Sequence, residues 1–456
     1  MLFRSKRHGT HQTTARVIHF FCGATHPAAP VWSVTMGTFR RIDSCRICGN
    51  AELSPIIALG NQYLTGVFPR SREEPLTCGP LSLVRCLPGS GDACGLVQLE
   101  HSYSSAEMYG ERYGYRSSLN SSMVAHLRSK VDGLTNRVTL EAGDVVLDIG
   151  SNDGTTLGFY PETLTRIGMD PTASKFAAFY KPGIRLVPDF FSADRFDSEV
   201  GGAKAKIVSS IAMFYDLDDP LDFVRQLAGV LHDDGIWHFE QSYLPRMLET
   251  NGYDTICHEH VEYYSLAQID WMLTRAGLRI IDVELNDVNG GSFAVTACKL
   301  DAHFANGSST RERILSSERA AGLHTDKPYA QFADRVRQHR RDLPGIIGSL
   351  RRDGFLTLGY GASTKGNVIL QYCGITPVEI PYIAEVNEEK FGAFTPGTGI
   401  PIISEQEAHA MKPDYLLAMP WHFRNTLLSR EKKFLDAGGR MIFPLPEIDI
   451  VTGATS

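Results

Sequence analysis

The sequence predicts an α/β protein built on two doubly wound parallel sheets, with a small cysteine-bearing module ahead of them. Three observations carry this. Apolar strands alternate with helical segments from residue 144 onward, and the same plan restarts after residue 354. Twice a strand runs into a glycine-rich turn that opens a helix: Val145-Val146-Leu147-Asp148-Ile149-Gly150-Ser151-Asn152-Asp153-Gly154, and Leu356-Thr357-Leu358-Gly359-Tyr360-Gly361-Ala362-Ser363-Thr364-Lys365-Gly366. Each turn is followed, about twenty residues on, by an acid at a strand end, Asp170 and Glu385, the spacing of a ligand-binding βαβ unit.

A chain of 456 residues exceeds one hydrophobic core and predicts about three domains. With 43% hydrophobic and 21% charged residues the composition is that of an ordinary globular protein. The net charge of −7 offers no global attraction to nucleic acid or to an anionic membrane. No apolar run approaches the roughly twenty residues of a membrane span. Nine cysteines, an odd number clustered early, point to metal ligation in a reducing, cytoplasmic setting and not to a disulfide framework.

Residues 1–41 form an atypical extension, with Arg4, Lys6, Arg7 and Arg16 ahead of a short apolar run that His11 and His19 interrupt. Patterned sequence is read as beginning just after Met36, which is expected to be the natural start. Residues 42–103 are short, turn-rich and cysteine-bearing. Cys45 and Cys48 make a CxxC, and Cys86 and Cys94 make a wider pair with seven residues between, Cys78 being a competing ligand. Structural zinc is expected, because so small a module has little apolar area to bury. A nucleic-acid-binding ribbon is the alternative, but basic and aromatic residues are not concentrated here.

Residues 104–304 form the first α/β domain. Its opening stretch, 101–130, is tyrosine-rich and helical in pattern. Tyr103, Tyr109, Tyr113 and Tyr115, with Arg116 and Asn120, suit a sugar or an enolate oxygen; taken alone, such a stripe is core packing. Strands are expected at 145–149, 165–169, 184–187, 206–211, 235–240, 279–286 and 292–299. Asn289-Gly290-Gly291 turns the last two into an antiparallel edge hairpin. Residues 305–350 read as a polar helical connector. Residues 351–456 read as a second Rossmann-like domain, with strands at 355–359, 380–385, 414–419 and 440–443.

The first turn lacks both GxGxxG spacing and the Lys-Ser/Thr of a P-loop. It offers an acid, Asp148, and glycines at 150 and 154, which suit a cofactor without phosphates whose amino group seeks a carboxylate. S-adenosylmethionine fits, with Asp170 on the ribose hydroxyls. Asn152, Asp189 and Gln241 complete the expected cofactor set; a generic strand-to-helix turn is the plainer alternative. The second turn adds Ser363, Thr364 and Lys365, which with Gly361 and Glu385 suit a nucleotide's pyrophosphate, unless this domain has only the fold and no ligand. The run Tyr253-Asp254-Thr255-Ile256-Cys257-His258-Glu259-His260-Val261-Glu262-Tyr263-Tyr264-Ser265 is the densest set of proton-transfer groups. It is not HExxH, since Glu262 stands where the second histidine is needed. A histidine beside a carboxylate makes a general base; a capping surface loop and a transition-metal site at His258, Glu259 and His260 are the other readings.

Together these motifs resemble the nucleotide-sugar C-methyltransferases, over roughly residues 42–450 and in the family's order: CRxCG, CGLVQL, YxxRYxYRS, LDIGSNDGT, CHEHVEYYS, GYGASTKGN, and the run Ala418-Met419-Pro420-Trp421-His422-Phe423. The resemblance implies a structural zinc module, a central S-adenosylmethionine domain and a C-terminal domain that helps to bind the sugar nucleotide. It implies His260 as base, with Glu259, His258, Tyr109 and Tyr115 beside it, and Tyr113, Arg116 and Asn120 on the substrate. Two departures stand out: the second cysteine pair is wider than CxxC, and Cys257 occupies a position where some members carry tyrosine. The implied reaction is base-assisted enolate formation on a nucleotide-linked 4-keto deoxysugar, then methyl transfer to C3. Methylation of oxygen or nitrogen in another small molecule, and a non-catalytic zinc-stabilised binding protein, are the alternatives.

Overall fold

The structure, a computed structural model, describes residues 34–36, 39–87, 92–104, 108, 116–305 and 307–453. The N-terminal part is a small β module. It holds β1 (Val34–Met36), β2 (Phe39–Arg41), β3 (Leu53–Tyr63), β4 (Leu76–Cys86), β5 (Val97–Leu99) and β6 (His101–Tyr103). β3 and β4 form a long antiparallel hairpin with register shifts at Pro55/Ile57 and Ala58/Gly60, and Ile57, Leu59, Leu81 and Leu83 from it are buried. β1 runs parallel to β4, Met36 opposite Cys78, so the patterned fold takes in residues before Met36. β6 pairs with β2. The helical reading of 101–130 therefore fails at its start, and among the described residues a helix spans Ser121–Thr135. Cross-strand pairing with Phe39–Arg41, remote in sequence, overrides the local pattern.

The central sheet contains β7 (Val145–Ile149), β8 (Thr165–Met169), β9 (Ile184–Val187), β10 (Ala205–Ile211) and β11 (Leu231–Ser242). A two-residue strand, β12 (Glu262–Tyr263), leaves this domain to join the N-terminal sheet beside β5. β13 (Leu278–Asn286) and β14 (Ser292–Lys299) close the central sheet, whose order is β13-β14-β11-β10-β7-β8-β9. Every residue of β7 is buried, as a central parallel strand covered on both faces requires. β13 and β14 form the antiparallel edge hairpin that Asn289-Gly290-Gly291 predicted. Because β8 and β10 flank β7, the chain switches direction there, and ligands of open α/β sheets bind outside the carboxyl ends of strands at such a point.

Helices Ser308–Ala320 and Lys327–Arg352 connect to a second sheet. It contains β15 (Thr357–Tyr360), β16 (Ile383–Glu385), β17 (Ile402–Ser404), β18 (Tyr415–Ala418), β19 (Arg440–Phe443) and β20 (Asp449–Thr452). The order is β17-β16-β15-β18-β19-β20, all parallel except β20. β15 repeats the switch-point position of β7. One apolar cluster joins this sheet to β3, β4 and β5 through Phe332, Val336 and Leu343 of the connector helix. Among the described residues no helix is long and apolar enough to cross a membrane.

Candidate active site

The first glycine turn closes over the end of β7. Gly150 has φ +74° and Gly154 φ +72°, and a Cβ at either would press on Met213 or Tyr180 at 2.9 Å, so bare backbone is required at both. Asp170, at the end of β8, accepts from the Asn152 N–H at 2.8 Å and from the Thr172 N–H and hydroxyl at 2.6 Å. The Tyr180 hydroxyl lies 2.8 Å from that of Ser151 and donates to the Asn152 carbonyl at 3.1 Å. Asp148 sits beneath the turn, its carboxylate accepting from Ser209 at 2.5 Å, and burial pushes its pKa up to about 7. Gln241 ends β11 almost fully buried, with neither side-chain amide atom hydrogen-bonded among the described residues. A buried amide of this kind calls for a ligand partner. Asp189 lies exposed after β9 and accepts from Phe190 N–H. The bare-backbone cradle and the unsatisfied Gln241 fit an adenosyl cofactor.

Residues 116–120 dock onto this turn. Ser117 N–H donates to Asn152 Oδ1 and Ser118 N–H to Asp153 Oδ2, both at 3.0 Å. Arg116 lies over the Phe179 ring at 4.2 Å. Asn120 is the N-cap of helix Ser121–Thr135, accepting from Ser122 N–H at 3.0 Å. That cap is a local signal the sequence carries in Asn120-Ser121-Ser122. Tyr109, Tyr113 and Tyr115 lie outside the described residues, while Tyr103 packs in the β module and donates to the Pro80 carbonyl at 2.6 Å.

The histidine-bearing loop is fastened at both ends. At its start Asp254, fully buried, accepts from Trp421 Nε1–H at 2.7 Å. Tyr253 OH lies 2.9 Å from His339 Nδ1, while His339 Nε2 lies 2.7 Å from the Pro444 carbonyl. The carbonyl can only accept, so Nε2 carries the proton and Tyr253 is the donor to Nδ1. At the loop's end β12 pairs with β5, and Leu99 N–H donates to the Val261 carbonyl at 2.9 Å. His260 Nδ1 lies 3.1 Å from the Thr255 carbonyl. The same logic puts the proton on Nδ1 and leaves Nε2 as a lone-pair acceptor. Burial, then the Lys365 ammonium, hold its pKa down to about 4. The ring is neutral, packed edge-on against Tyr215 with centroids 4.3 Å apart.

Glu259 faces both outer modules. Its Oε1 lies 3.3 Å from where a Cβ on Gly66 would stand, and Thr364 Oγ1 lies 3.8 Å from that point. Its Oε2 is buried with no hydrogen-bond partner among the described residues, and burial raises its pKa. His258 instead points into the β module, edge-on to Tyr103 at 4.7 Å and 3.4 Å from the Gly79 carbonyl. Cys257 is buried in the apolar cluster shared by the modules. Spacing did not reveal Gln62 and Thr65, at the end of β3 and just beyond, whose side-chain polar atoms are buried without partners among the described residues. Nor did it reveal Asp254 and Trp421 as partners, although both lie in runs the sequence singled out.

The second turn is built like the first. Gly361 has φ +83°, and a Cβ there would meet Pro420 at 2.7 Å. Glu385 Oε2 accepts from Ala362 N–H at 2.9 Å, as Asp170 does from Asn152, and Oε1 accepts from Val386 and Asn387 N–H at 2.7 and 3.0 Å. Ser363 is the N-cap of helix Thr364–Cys373, accepting from Gly366 N–H at 3.0 Å. Lys365 donates to the Asn289 carbonyl at 2.6 Å, across to the central domain's hairpin. Ser363, Lys365 and Glu385 are thus held by protein groups, and Thr364 of this turn lies, like Glu259, beside Gly66.

Cys45, Cys48, Cys86 and Cys94 converge, all four Sγ within 4.8 Å of one another. The Cys45–Cys94 and Cys48–Cys86 separations are 3.5 Å, near the roughly 3.8 Å edge of a tetrahedral zinc–thiolate site. Asn50 Nδ2 lies 3.4 Å from Cys86 Sγ, an outer partner of the kind that orients a ligand. Cys78 packs elsewhere, with Tyr63 and Leu76, so the wide 86–94 spacing still delivers its pair. Zinc bound here would tie the loop after β2 to the end of β4.

Two outcomes are expected. Purified protein carries one zinc per chain by elemental mass spectrometry, and Cys86→Ser falls well below that ratio. Asp170→Ala, which frees the Asn152 N–H, weakens S-adenosylmethionine binding by about ten-fold or more in calorimetry.

Three family models cover the chain in sequence: "Putative zinc binding domain" at residues 45–109, "Methyltransferase domain" at 123–283 and "C-methyltransferase C-terminal domain" at 287–446. Among solved structures it is similar to an N1-methyltransferase of 1,6-didemethyltoxoflavin from Burkholderia thailandensis, with 15% identity, 39% of this chain and 78% of that chain covered, and a TM-score of 0.30. It is also similar to the mitomycin 7-O-methyltransferase MmcR, with 14% identity, 40% and 55% covered, and a TM-score of 0.31. The C-methyltransferase NovU of Streptomyces niveus is 31% identical over 422 residues, 91% of this chain and 99% of NovU. The protein is an S-adenosylmethionine-dependent methyltransferase with a structural zinc site, and it belongs to the C-methyltransferase family.

Proposed function

We propose that the chain methylates C3 of a nucleotide-linked 4-keto deoxysugar, with His260 removing the proton from that carbon. The observation that carries the reading is the His260 tautomer: Nδ1–H is committed to the Thr255 carbonyl, which leaves the Nε2 lone pair of a neutral ring to take a proton. A base can assist attack by a hydroxyl or amine, whereas a carbon flanked by a ketone has no lone pair and must lose a proton before it can attack. A ketone beside the C–H makes that loss feasible by delocalising the charge onto oxygen. Burial favours the protonated form of Glu259, which donates to that developing oxyanion. S-adenosylmethionine, when bound at the first turn, supplies the electrophilic methyl group.

In this reading Asp170 and Gln241 hold the cofactor, with Asp148 and Gly150, Asn152 and Gly154 shaping its bed and Asp189 at its rim. Thr364 and the Gly361 turn receive the acceptor, with Lys365 and Glu385 bracing that turn. Tyr109 and Tyr115 are assigned to the base's chemistry and Tyr113, Arg116 and Asn120 to the acceptor, and His258 anchors the base's loop. The zinc module takes residues 42–103, the methyl-transfer domain 104–304 and the acceptor domain 351–456, joined through 305–350. The reaction takes place in the cytoplasm, which suits eight cysteines left free among the described residues.

The test is incubation with isotope-labelled S-adenosylmethionine and a panel of nucleoside-diphosphate 4-keto sugars, followed by mass spectrometry. Label is expected on a sugar carbon. His260→Ala should lower transfer by about a hundred-fold or more while keeping cofactor affinity. On the acid side the wild-type rate should fall as pH drops through about 4, where His260 gains its proton. Near-normal turnover in His260→Ala would remove it from the role.

A further inference from the structure

Arg46 stands inside the metal-binding CxxC, between Cys45 and Cys48, yet its side chain turns away from the sulfurs and is almost wholly buried. Its guanidinium donates to the Leu99 carbonyl at 2.7 Å, to Ser102 Oγ at 2.9 Å, and to the Gln98 amide oxygen and the His101 carbonyl at 3.3 Å. Its backbone N–H donates to the same Gln98 oxygen at 3.1 Å. Gln98 is the register partner of Glu262 in the β5–β12 pairing. Glu262 has no exposed side-chain surface, and its Oε1 lies 3.8 Å from Arg46 Nε. Asp218 flanks the guanidinium at 3.9 Å and accepts from Ser102 at 2.6 Å. Burial raises the pKa of Glu262 well above the carboxylate range, and the Arg46 guanidinium opposes that shift.

Glu262 is two residues beyond His260. The loop carrying the base therefore ends on a strand whose buried Glu262 stands against a guanidinium from inside the metal-binding loop. We propose that Arg46 and Glu262 are positioning residues for His260: the pair locks β12 onto β5 and so fixes where the loop Cys257–Val261 sits. The zinc module then does more than stabilise itself, because its ordered CxxC loop aims the guanidinium. This rests on the reading of His260 as base, but the pair can be tested without it.

The experiment uses full-length protein with zinc bound. Amide hydrogen exchange is followed in peptides covering 257–263 and in β7, together with the imidazole ¹³C–¹H NMR signals of His260 and His232. In Arg46→Met and in Glu262→Gln, exchange at 257–263 should rise about ten-fold or more. β7 protection, zinc content and S-adenosylmethionine affinity should stay within about two-fold. The His260 signal should move and the His232 signal should not. Glu262→Gln, nearly isosteric, decides the matter if Arg46→Met does not fold. Unchanged protection at 257–263, or loosening of β7 to the same degree, would overturn the proposal. Methyl transfer from a variant with a displaced loop would instead count against His260 as base, leaving the positioning itself intact.

Discussion

The short pairing of Glu262 and Tyr263 with Gln98 and Val97 governs the arrangement of everything around it. The chain reaches these residues from β11 through the helix Leu244–Glu249, and after them it returns to the helix Leu266–Arg275 against the central sheet. For two residues it belongs to another module. Backbone hydrogen bonds made in this detour cannot be exchanged for solvent without exposing Glu262 and the apolar residues beneath it. The loop before the strand is consequently fixed at one end by the zinc module and at the other by Asp254–Trp421 and Tyr253–His339, which reach the C-terminal domain and its connector. Three parts of the chain hold one histidine loop.

The two glycine turns share a device and differ in use. In each, an acid at the end of the neighbouring strand accepts the first free N–H of the turn, Asn152 for Asp170 and Ala362 for Glu385. That bond holds a left-handed backbone position open at a switch point, where a ligand's flat or extended surface can lie against main chain. Around the first turn an unsatisfied Gln241 and a docked segment 116–120 remain to engage a ligand. Around the second, the lysine and the serine are taken up by the protein itself, and Lys365 becomes a link to the hairpin at Asn289.

Much of this could be read from local pattern. The central strands, the edge hairpin, both turns and the four cysteines each announce themselves within a few residues, because apolar alternation and glycine requirements are local. The histidine-bearing loop was legible as chemistry, but not in its geometry. That β12 joins the N-terminal sheet depends on a partner 164 positions away in the sequence, between Gln98 and Glu262, and no periodicity of a two-residue strand can show it. Asp254 and Trp421 are separated by 167 positions. Asn120 and Ser363 went the other way: both sit in plain N-cap contexts, yet their polarity suggested ligands. His258 and His260 look equivalent in the sequence. The backbone between them turns one into the β module and leaves the other facing the catalytic side, a distinction set by Gly79, Tyr103 and Thr255.

What distinguishes methylation of carbon from that of oxygen or nitrogen is the removal of a C–H proton. The most direct measurement is proton exchange at the acceptor carbon in heavy water, with a nucleoside-diphosphate 4-keto sugar bound and no S-adenosylmethionine present. Deuterium entering C3 in the wild-type protein, and failing to enter with His260→Ala, is the result this structure predicts. Methyl transfer without any exchange at carbon, or exchange that persists without the His260 imidazole, would contradict it.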